Sequence, residues 1–166
     1  MNRSRATVLA IIAGFTIAAG AAGTPAQQCK NPHVKRAAFT QSFECNMDLR
    51  LASRSPILLV PGTWGTPAGF AWNWLPALQA HGWPVCTVAL PDNATAPIQD
   101  SAAYIEYAIR EAHRLSGQKV QIVGGSQGGM APRWVLRFSP ATRNMVDDMV
   151  SLSASNRRTR ALNIRH

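Results

Sequence analysis

The chain has 166 residues, of which 46% are hydrophobic and 15% are charged, and its formal net charge at pH 7 is +9. This composition excludes a disordered or collagen-like chain, and the length allows one domain with a buried core. The basic segment 156–166 has no interleaved aromatic residues, so we expect a solvated C-terminal tail and no nucleic-acid partner.

The first 23 residues have the layout of a secretory signal peptide. Arg3 and Arg5 precede an apolar run over residues 8–19, which leads into small residues up to Gly23, where we place the cleavage site. The apolar run is short for the ~30 Å hydrocarbon core of a bilayer, so no integral membrane anchor is expected. We therefore expect a secreted or periplasmic protein.

Residues 24–54 are polar and show no clear hydrophobic period, which predicts an irregular N-terminal segment lying over the surface. The chain has three cysteines, at Cys29, Cys45 and Cys86. Export favours disulfides, and one bridge would use two of these cysteines and leave one over. We expect Cys45 to hold the N-terminal segment in place.

The region 55–155 alternates strand-like and helix-like patterns. Short apolar runs predict four strands, at residues 55–60, 84–90, 119–123 and 148–154. Helical spacing predicts three helices, over residues 70–81, from Asp100 or Ser101 to about Leu115, and after Gln127. This alternation predicts an α/β fold with a parallel sheet and right-handed crossovers.

The sequence also indicates the apolar faces and the ends of the predicted helices. The first helix places four apolar residues on one side: Phe70, Trp74, Leu75 and Leu78. Gly117 is expected to end the second helix. In the third, Met130, Trp134 and Phe138 recur every four residues, whereas Pro132 predicts a kink or a late start.

The stretch from Gly124 to Gly129 joins the third predicted strand to the helix after it, and it contains the pattern Gly124-x-Ser126-x-Gly128. This is the pattern of a nucleophile elbow, a strand-to-helix turn too sharp for side chains at the flanking positions. Glycine relieves the crowding, and the turn lifts the serine hydroxyl above the end of the sheet. Ser126 is therefore the predicted nucleophile.

The hydrogen-bond donors of an oxyanion hole can also be identified from the sequence. Such a hole needs backbone N–H groups, one from the residue after the nucleophile and one from the loop after an earlier strand. Gln127 follows Ser126 directly, and Thr63 lies in the loop after strand 55–60. We expect the N–H groups of Thr63 and Gln127 to form the hole, with the Thr63 hydroxyl as a third donor.

The sequence offers no clear general base for Ser126. A serine hydroxyl needs a histidine to take its proton and a carboxylate to orient that histidine, and in α/β-hydrolases both follow the serine. The candidates after Ser126 are Asp147 and Asp148, at the start of the fourth strand, and His166, the last residue. The upstream histidines are predicted to be solvated surface residues: His33, His81 and His113. We therefore expect the chain as given to be catalytically defective.

Four short segments of the core carry a family resemblance. They are residues 56–63 (Pro-Ile-Leu-Leu-Val-Pro-Gly-Thr), 73–76 (Asn-Trp-Leu-Pro), 84–86 (Pro-Val-Cys) and 126–129 (Ser-Gln-Gly-Gly). In this order and spacing they resemble the Candida antarctica lipase B type of α/β-hydrolase, over about residues 45–155. The resemblance implies a secreted triacylglycerol lipase or carboxylesterase acting on acylglycerols or other lipophilic esters, in contact with a lipid–water interface, and without a metal or organic cofactor.

The resemblance also implies roles for single residues. Ser126 matches the nucleophile, Thr63 and Gln127 match the oxyanion hole, and Cys45 and Cys86 match the cysteines of the family's N-terminal disulfide. The enzymes of the family continue beyond the matched part with two more core strands, the catalytic Asp and the catalytic His. The chain therefore resembles the N-terminal portion only, and we expect a fragment whose fold is truncated after about the fourth core strand.

Two positions depart from the family pattern, and two other functions stay open. Gly125 stands where lipase B has a tryptophan, and we expect this change to admit bulkier alcohols; Ser155-Asn156 stands where relatives often carry Pro-Asp. One alternative function is an acyltransferase or thioesterase on the same fold. The other is a non-catalytic lipid-binding remnant that keeps the surface around three aromatic residues: Trp64, Phe70 and Trp72.

Overall fold

The computed structural model describes residues 36–156, whose strands form a five-stranded sheet. The strands are β1 (Phe43–Cys45), β2 (Ile57–Val60), β3 (Val85–Val88), β4 (Val120–Gly125) and β5 (Val146–Leu152). Their order across the sheet is β1-β3-β2-β4-β5. All neighbours pair in parallel except β1, which runs antiparallel to β3. The predicted α/β fold with a parallel sheet is confirmed.

Several predictions concern residues outside this range. The predicted signal peptide, Cys29 and His33 precede the described residues, and His166 with almost all of the basic tail follows them. Within residues 36–156, no helix combines the length and the apolar character that crossing a bilayer requires.

Helices cover both faces of the sheet. They are α1 (Arg36–Gln41), α2 (Trp74–Ala80), α3 (Ile98–Ser116) and α4 (Ala131–Phe138). Leu58 and Val60 of β2 belong to the larger core cluster, which includes residues of α3 and α4. Ile57 and Leu59 belong to a second cluster, against which α2 packs. The alternating side chains of β2 therefore serve two cores, which explains why this strand is apolar throughout.

The described part of segment 24–54 is not irregular, contrary to the prediction. It forms α1, β1 and a 3-10 turn in which Leu49 is buried. β1 places Cys45 opposite Cys86 of β3, and these two cysteines form the disulfide that the resemblance implies. A strand of three residues is too short to show a hydrophobic period, so its order depends on pairing with β3 and on the disulfide.

α2 begins at Trp74, later than predicted. Residues 67–70 form a separate 3-10 turn, and the Asn73 side chain accepts a hydrogen bond from the Trp74 N–H, which sets the helix start there. Of the four apolar residues predicted on one side of this helix, three pack against the second cluster: Phe70, Leu75 and Leu78. Trp74, in the first helical position, is 37% exposed.

The start of α3 also differs from the prediction. The helix begins at Ile98, directly after Pro97, so neither Asp100 nor Ser101 is its cap. The first N–H groups of a helix have no partner within it, so a preceding proline removes nothing that the helix needs. The predicted end is confirmed, because Gly117 adopts a left-handed φ of 66° directly after the last helical residue.

α4 starts late, as Pro132 predicts. The 3-10 turn Ser126–Gly129 comes first, and the α-helix begins only at Ala131, with the proline in its first turn. Trp134 and Phe138 lie on one face of this helix, with ring centroids 4.4 Å apart. The turn before α4 thereby remains a separate structural element, and it carries the candidate site.

Candidate active site

Ser126 stands at the end of β4, in the turn that leads to α4. Its φ of 53° lies in the left-handed region, which a non-glycine residue adopts at a cost of about 1–2 kcal/mol. The residue is exposed. An exposed serine in a strained strand-to-helix turn has the geometry of a nucleophile elbow, as the motif predicts.

The glycines two residues before and after Ser126 leave no room for side chains. A Cβ atom on Gly124 would collide with the carbonyl group of Gly128 across the turn. A Cβ atom on Gly128 would collide with the backbone of Val60 and Pro61. The end of β2 therefore lies directly against the turn, and glycine is required at both positions.

The loop after β2 passes close to the serine. A Cβ atom on Gly62 would lie 3.2 Å from Ser126 Cβ and 3.7 Å from its Oγ. The reason is the sheet register, because β2 and β4 are parallel neighbours and Val60 lies opposite Gly124. Thr63 comes directly after Gly62, so the sheet brings this predicted site residue to the nucleophile's turn.

A hydrogen bond joins the two predicted oxyanion residues. The Thr63 hydroxyl Oγ1 donates to Gln127 Oε1 over 2.6 Å. Among residues 36–156, the Thr63 N–H has no backbone acceptor, and Gln127 lies in the first turn of the 3-10 helix Ser126–Gly129, where N–H groups have no partner within the helix. Both backbone donors are thus free for a ligand, whereas the Thr63 hydroxyl must rotate away from Gln127 before it can act as a third donor.

Gly125 differs from the other glycines of the turn. The nearest heavy atom to a Cβ atom built on it, outside its immediate chain neighbours, is the Leu152 carbonyl oxygen at 3.9 Å, which is an ordinary van der Waals distance. A Cβ atom would therefore fit at this position. The glycine leaves open the space that a larger residue would fill.

The C-terminal end of β5 supports the turn through two hydrogen bonds that sequence reasoning missed. The Ser155 N–H donates to the Ser126 carbonyl oxygen at 3.3 Å, and Ser151 Oγ donates to the Gly129 carbonyl oxygen at 3.0 Å. These bonds could have been anticipated, because the strand after the elbow helix is expected to lie beside β4 in a parallel sheet. Serines near its C-terminal end therefore reach the turn.

None of the described histidines lies at Ser126. His81 follows the last residue of α2, as predicted, and is exposed. His113 was predicted to be solvated, but it is half-buried because its Nδ1 pairs with the Gln118 carbonyl oxygen at 2.8 Å. Among residues 36–156, no side chain forms a hydrogen bond with Ser126 Oγ.

The two aspartates after the serine lie at the other end of the sheet. Asp147 and Asp148 are at the start of β5, where Val146 lies opposite Val120 of β4, whereas Leu152 lies opposite Gly125 at the elbow end. Neither carboxylate is therefore at the site, as the sequence predicts. In the described part of the chain, no group of three His, Cys, Asp or Glu side chains is arranged to hold a metal ion.

Comparison with known proteins identifies relatives of this chain. No protein-family model matches the chain. Lipase B of Pseudozyma antarctica is 35% identical over 100 residues, which are 59% of this chain and 29% of lipase B. The crystal structure of Aspergillus fumigatus lipase B matches with a TM-score of 0.66 and 28% identity, over 74% of this chain and 30% of that one.

A Bacillus licheniformis lipase in its mature form shares the fold, with a TM-score of 0.55 and 21% identity over 68% of this chain and 46% of that one. This chain therefore spans less than half the length of each of these three relatives. The elbow, the sheet order and the sequence match agree with one another. The chain has the α/β-hydrolase fold and is similar to the N-terminal portion of lipase B.

Proposed function

We propose that this chain carries the nucleophile and the oxyanion hole of a serine carboxylic-ester hydrolase of the lipase or esterase type. The observation that supports this proposal most strongly is the elbow, where Ser126 is exposed with a left-handed φ and the loop after β2 passes beside it. The lipase relatives support the same class of reaction. We propose acylglycerols or other lipophilic esters as substrates.

In the proposed reaction, Ser126 Oγ attacks the ester carbonyl carbon and loses its proton to a base. The carbonyl oxygen takes the electron pair, and the free N–H groups of Thr63 and Gln127 stabilise the resulting oxyanion. The alcohol leaves with a proton, and water later releases the acid from the acyl-serine. In this proposal the chain supplies the attacking oxygen and the groups that stabilise the negative charge.

Within residues 36–156, no side chain that could accept the proton lies at Ser126. A serine without its histidine loses orders of magnitude in rate, and the oxyanion hole with substrate binding leaves about 10³-fold catalysis over water. We therefore propose that the chain of 166 residues hydrolyses esters slowly. No metal or organic cofactor is needed for this chemistry.

The test is hydrolysis of p-nitrophenyl butyrate by the purified chain. We expect a low rate that Ser126→Ala and Ser53→Ala, the latter at an exposed serine outside the site, both leave nearly unchanged, because without the histidine the residual catalysis comes from the oxyanion hole and substrate binding. A rate no higher than that of the buffer alone would overturn the proposed function. A rate typical of complete lipases that disappears in Ser126→Ala would support the function but refute the proposed deficiency.

We also propose that the protein is exported, with residues 1–23 as the signal peptide and residues 55–155 as the main part of the hydrolase region. The disulfide between Cys45 and Cys86 supports an oxidising compartment, since such bonds are rare in the cytosol. The test is the N-terminal sequence of the protein recovered from the culture medium or periplasm. Recovery of the uncleaved chain from the cytosol alone would contradict export.

A further inference from the structure

A cavity of about 410 Å³ lies between α1 and α3. Its lining residues come from these two helices, and those of α3 recur at the spacing of one helical face: Arg36, Phe39, Tyr107, Arg110, Glu111 and Arg114. None of them belongs to the elbow or to the loop after β2, so the cavity is separate from the candidate active site. Its volume is that of a pocket for a small organic molecule.

Two aromatic rings form an apolar wall of this cavity. Phe39 of α1 stacks on Tyr107 of α3, with ring centroids 5.6 Å apart and an angle of 24° between the planes. Phe39 also packs against Tyr104 at 4.8 Å, and the Tyr107 hydroxyl lies 3.3 Å from Thr40 Oγ1, within hydrogen-bond distance. Phe39 and Tyr107 are half-buried. The wall is therefore held in place and still offers apolar surface to a ligand.

The lining of the cavity carries more positive than negative charge, with three arginines and one glutamate. Arg114 neutralises the glutamate, because its Nε and Nη2 donate to the two carboxylate oxygens of Glu111 at 2.9 and 2.6 Å. Arg110 donates from Nε and Nη2 to Glu106 Oε1. Arg36 is exposed and forms no ion pair with any acid of residues 36–156.

The same positive charge acts on Glu111. The hydrogen bonds from Arg114 lower the pKa of the Glu111 carboxyl below its ordinary value, and the charges of Arg36 and Arg50 act in the same direction, although burial opposes them. An anion in the cavity would be stabilised by these charges in the same way.

No acidic side chain of the given sequence fills this role. All 8 Asp and Glu residues lie within residues 36–156, so residues 1–35 and 157–166 carry none. None of the 8 forms an ion pair with Arg36. A carboxylate that pairs with Arg36 in the cavity therefore comes from a separate molecule.

We propose that this cavity binds a carboxylate ligand with an apolar body. The carboxylate pairs with the guanidinium groups of Arg36 and Arg110, whose planar N–H donors match its geometry. The apolar body packs against Phe39 and Tyr107. Aryl and alkyl carboxylates share this chemistry. The site lies outside the proposed ester hydrolysis and does not depend on whether Ser126 is a nucleophile.

The test is a titration of the isotope-labelled chain with benzoate and with hexanoate, followed by amide NMR spectra at constant ionic strength. We expect a dissociation constant on the order of 1 mM for the better of the two, as is usual for so small a ligand. The largest shifts are expected at the amides of residues 36–41 and 104–114. The stronger binder shows whether the body that fits is aryl or alkyl.

Two control ligands separate the charge from the apolar body. Benzamide has the ring of benzoate without its charge, and inorganic phosphate has the charge without an apolar body. Each is expected to bind about tenfold more weakly than benzoate, because each loses one of the two contacts. Binding of either as strong as that of benzoate would overturn the proposed ligand class.

Arg36→Gln tests the unpaired guanidinium and is expected to weaken benzoate binding about tenfold. Arg137→Gln is the matched control, since it removes the same charge at an exposed position of α4 outside the cavity, and it should leave binding unchanged. Arg36→Lys keeps the charge but not the planar fork, so an intermediate affinity is expected. Unchanged amide shifts outside α1 and α3 will show that each variant is folded.

Three further outcomes would overturn the site. They are no binding of either carboxylate, equal benzoate binding by the parent and Arg36→Gln, and shifts centred on the elbow. The last would assign the carboxylate to the candidate active site. None of them bears on hydrolysis of the soluble ester, so the ligand site and the proposed function can each fail alone.

Discussion

The glycines around Ser126 are the same amino acid but leave different amounts of space for a side chain. Gly124 and Gly128, on either side of the serine, are closed in, because a Cβ atom on either would collide with backbone across the turn or at the end of β2. Gly125, between Gly124 and the serine, is open, with the Leu152 carbonyl oxygen at 3.9 Å as the nearest atom to a Cβ atom built on it. Glycine is thus required by the turn at Gly124 and Gly128, whereas at Gly125 it leaves space beside the serine.

The largest expected effect is a difference in stability between a closed and an open glycine of the turn. Gly128→Ala is expected to lower the free energy of unfolding by at least about 3 kcal/mol, because backbone atoms cannot move aside as a side chain would. Gly125→Ala is the matched control, with an expected change within about 1 kcal/mol. Urea denaturation of both variants measures the difference, and equal losses would show that the two glycines do not differ.

A smaller effect is expected at the hydrogen bond that crosses the site. Thr63→Val keeps the shape and the backbone N–H but removes the hydroxyl that donates to Gln127 Oε1. If that hydroxyl rotates to the oxyanion, the residual hydrolysis should fall about 100-fold, the effect of losing one oxyanion donor. Thr63→Ser, which keeps the hydroxyl, is the control. An unchanged rate in Thr63→Val would limit the hole to its two backbone donors.

The smallest expected effect concerns the choice of alcohol. Gly125→Trp should fill the open space at this position. We therefore expect it to slow the hydrolysis of esters of branched secondary alcohols about 10-fold more than that of ethyl esters. The acid part of the ester is kept the same in both series. The unsubstituted chain should accept both alcohols. An equally strong preference for small alcohols before and after the substitution would place the alcohol elsewhere in the site.

Local sequence patterns were sufficient to predict those parts of the fold that neighbouring residues determine. The apolar runs of β2 and β3 predict buried strands because both faces of each strand are covered. The spacing of glycines around Ser126 predicts the elbow because the turn's backbone excludes side chains. Pro132 predicts the late start of α4 for a similar reason, since the ring tolerates only the first turn of a helix.

Other parts could not be predicted because partners distant in the sequence create them. β1 has three residues and acquires its conformation from pairing with β3, with Cys45 opposite Cys86. The open space at Gly125 depends on where the end of β5 lies, since the Leu152 carbonyl oxygen is the nearest atom to a Cβ atom built there, and the sequence of the turn does not reveal that position.

The sequence by itself determined the chemical type of the site: a serine on a sharp turn, with a loop donor upstream and a backbone donor next to it. These features depend on backbone geometry over a few residues, so a short motif can specify them. The tertiary structure alone decided that the Thr63 hydroxyl is hydrogen-bonded to Gln127, that a Cβ atom has room at Gly125, and that Trp64 and Trp72 remain in solvent. Distance and burial arise from packing between segments far apart in the chain, and no local pattern encodes them.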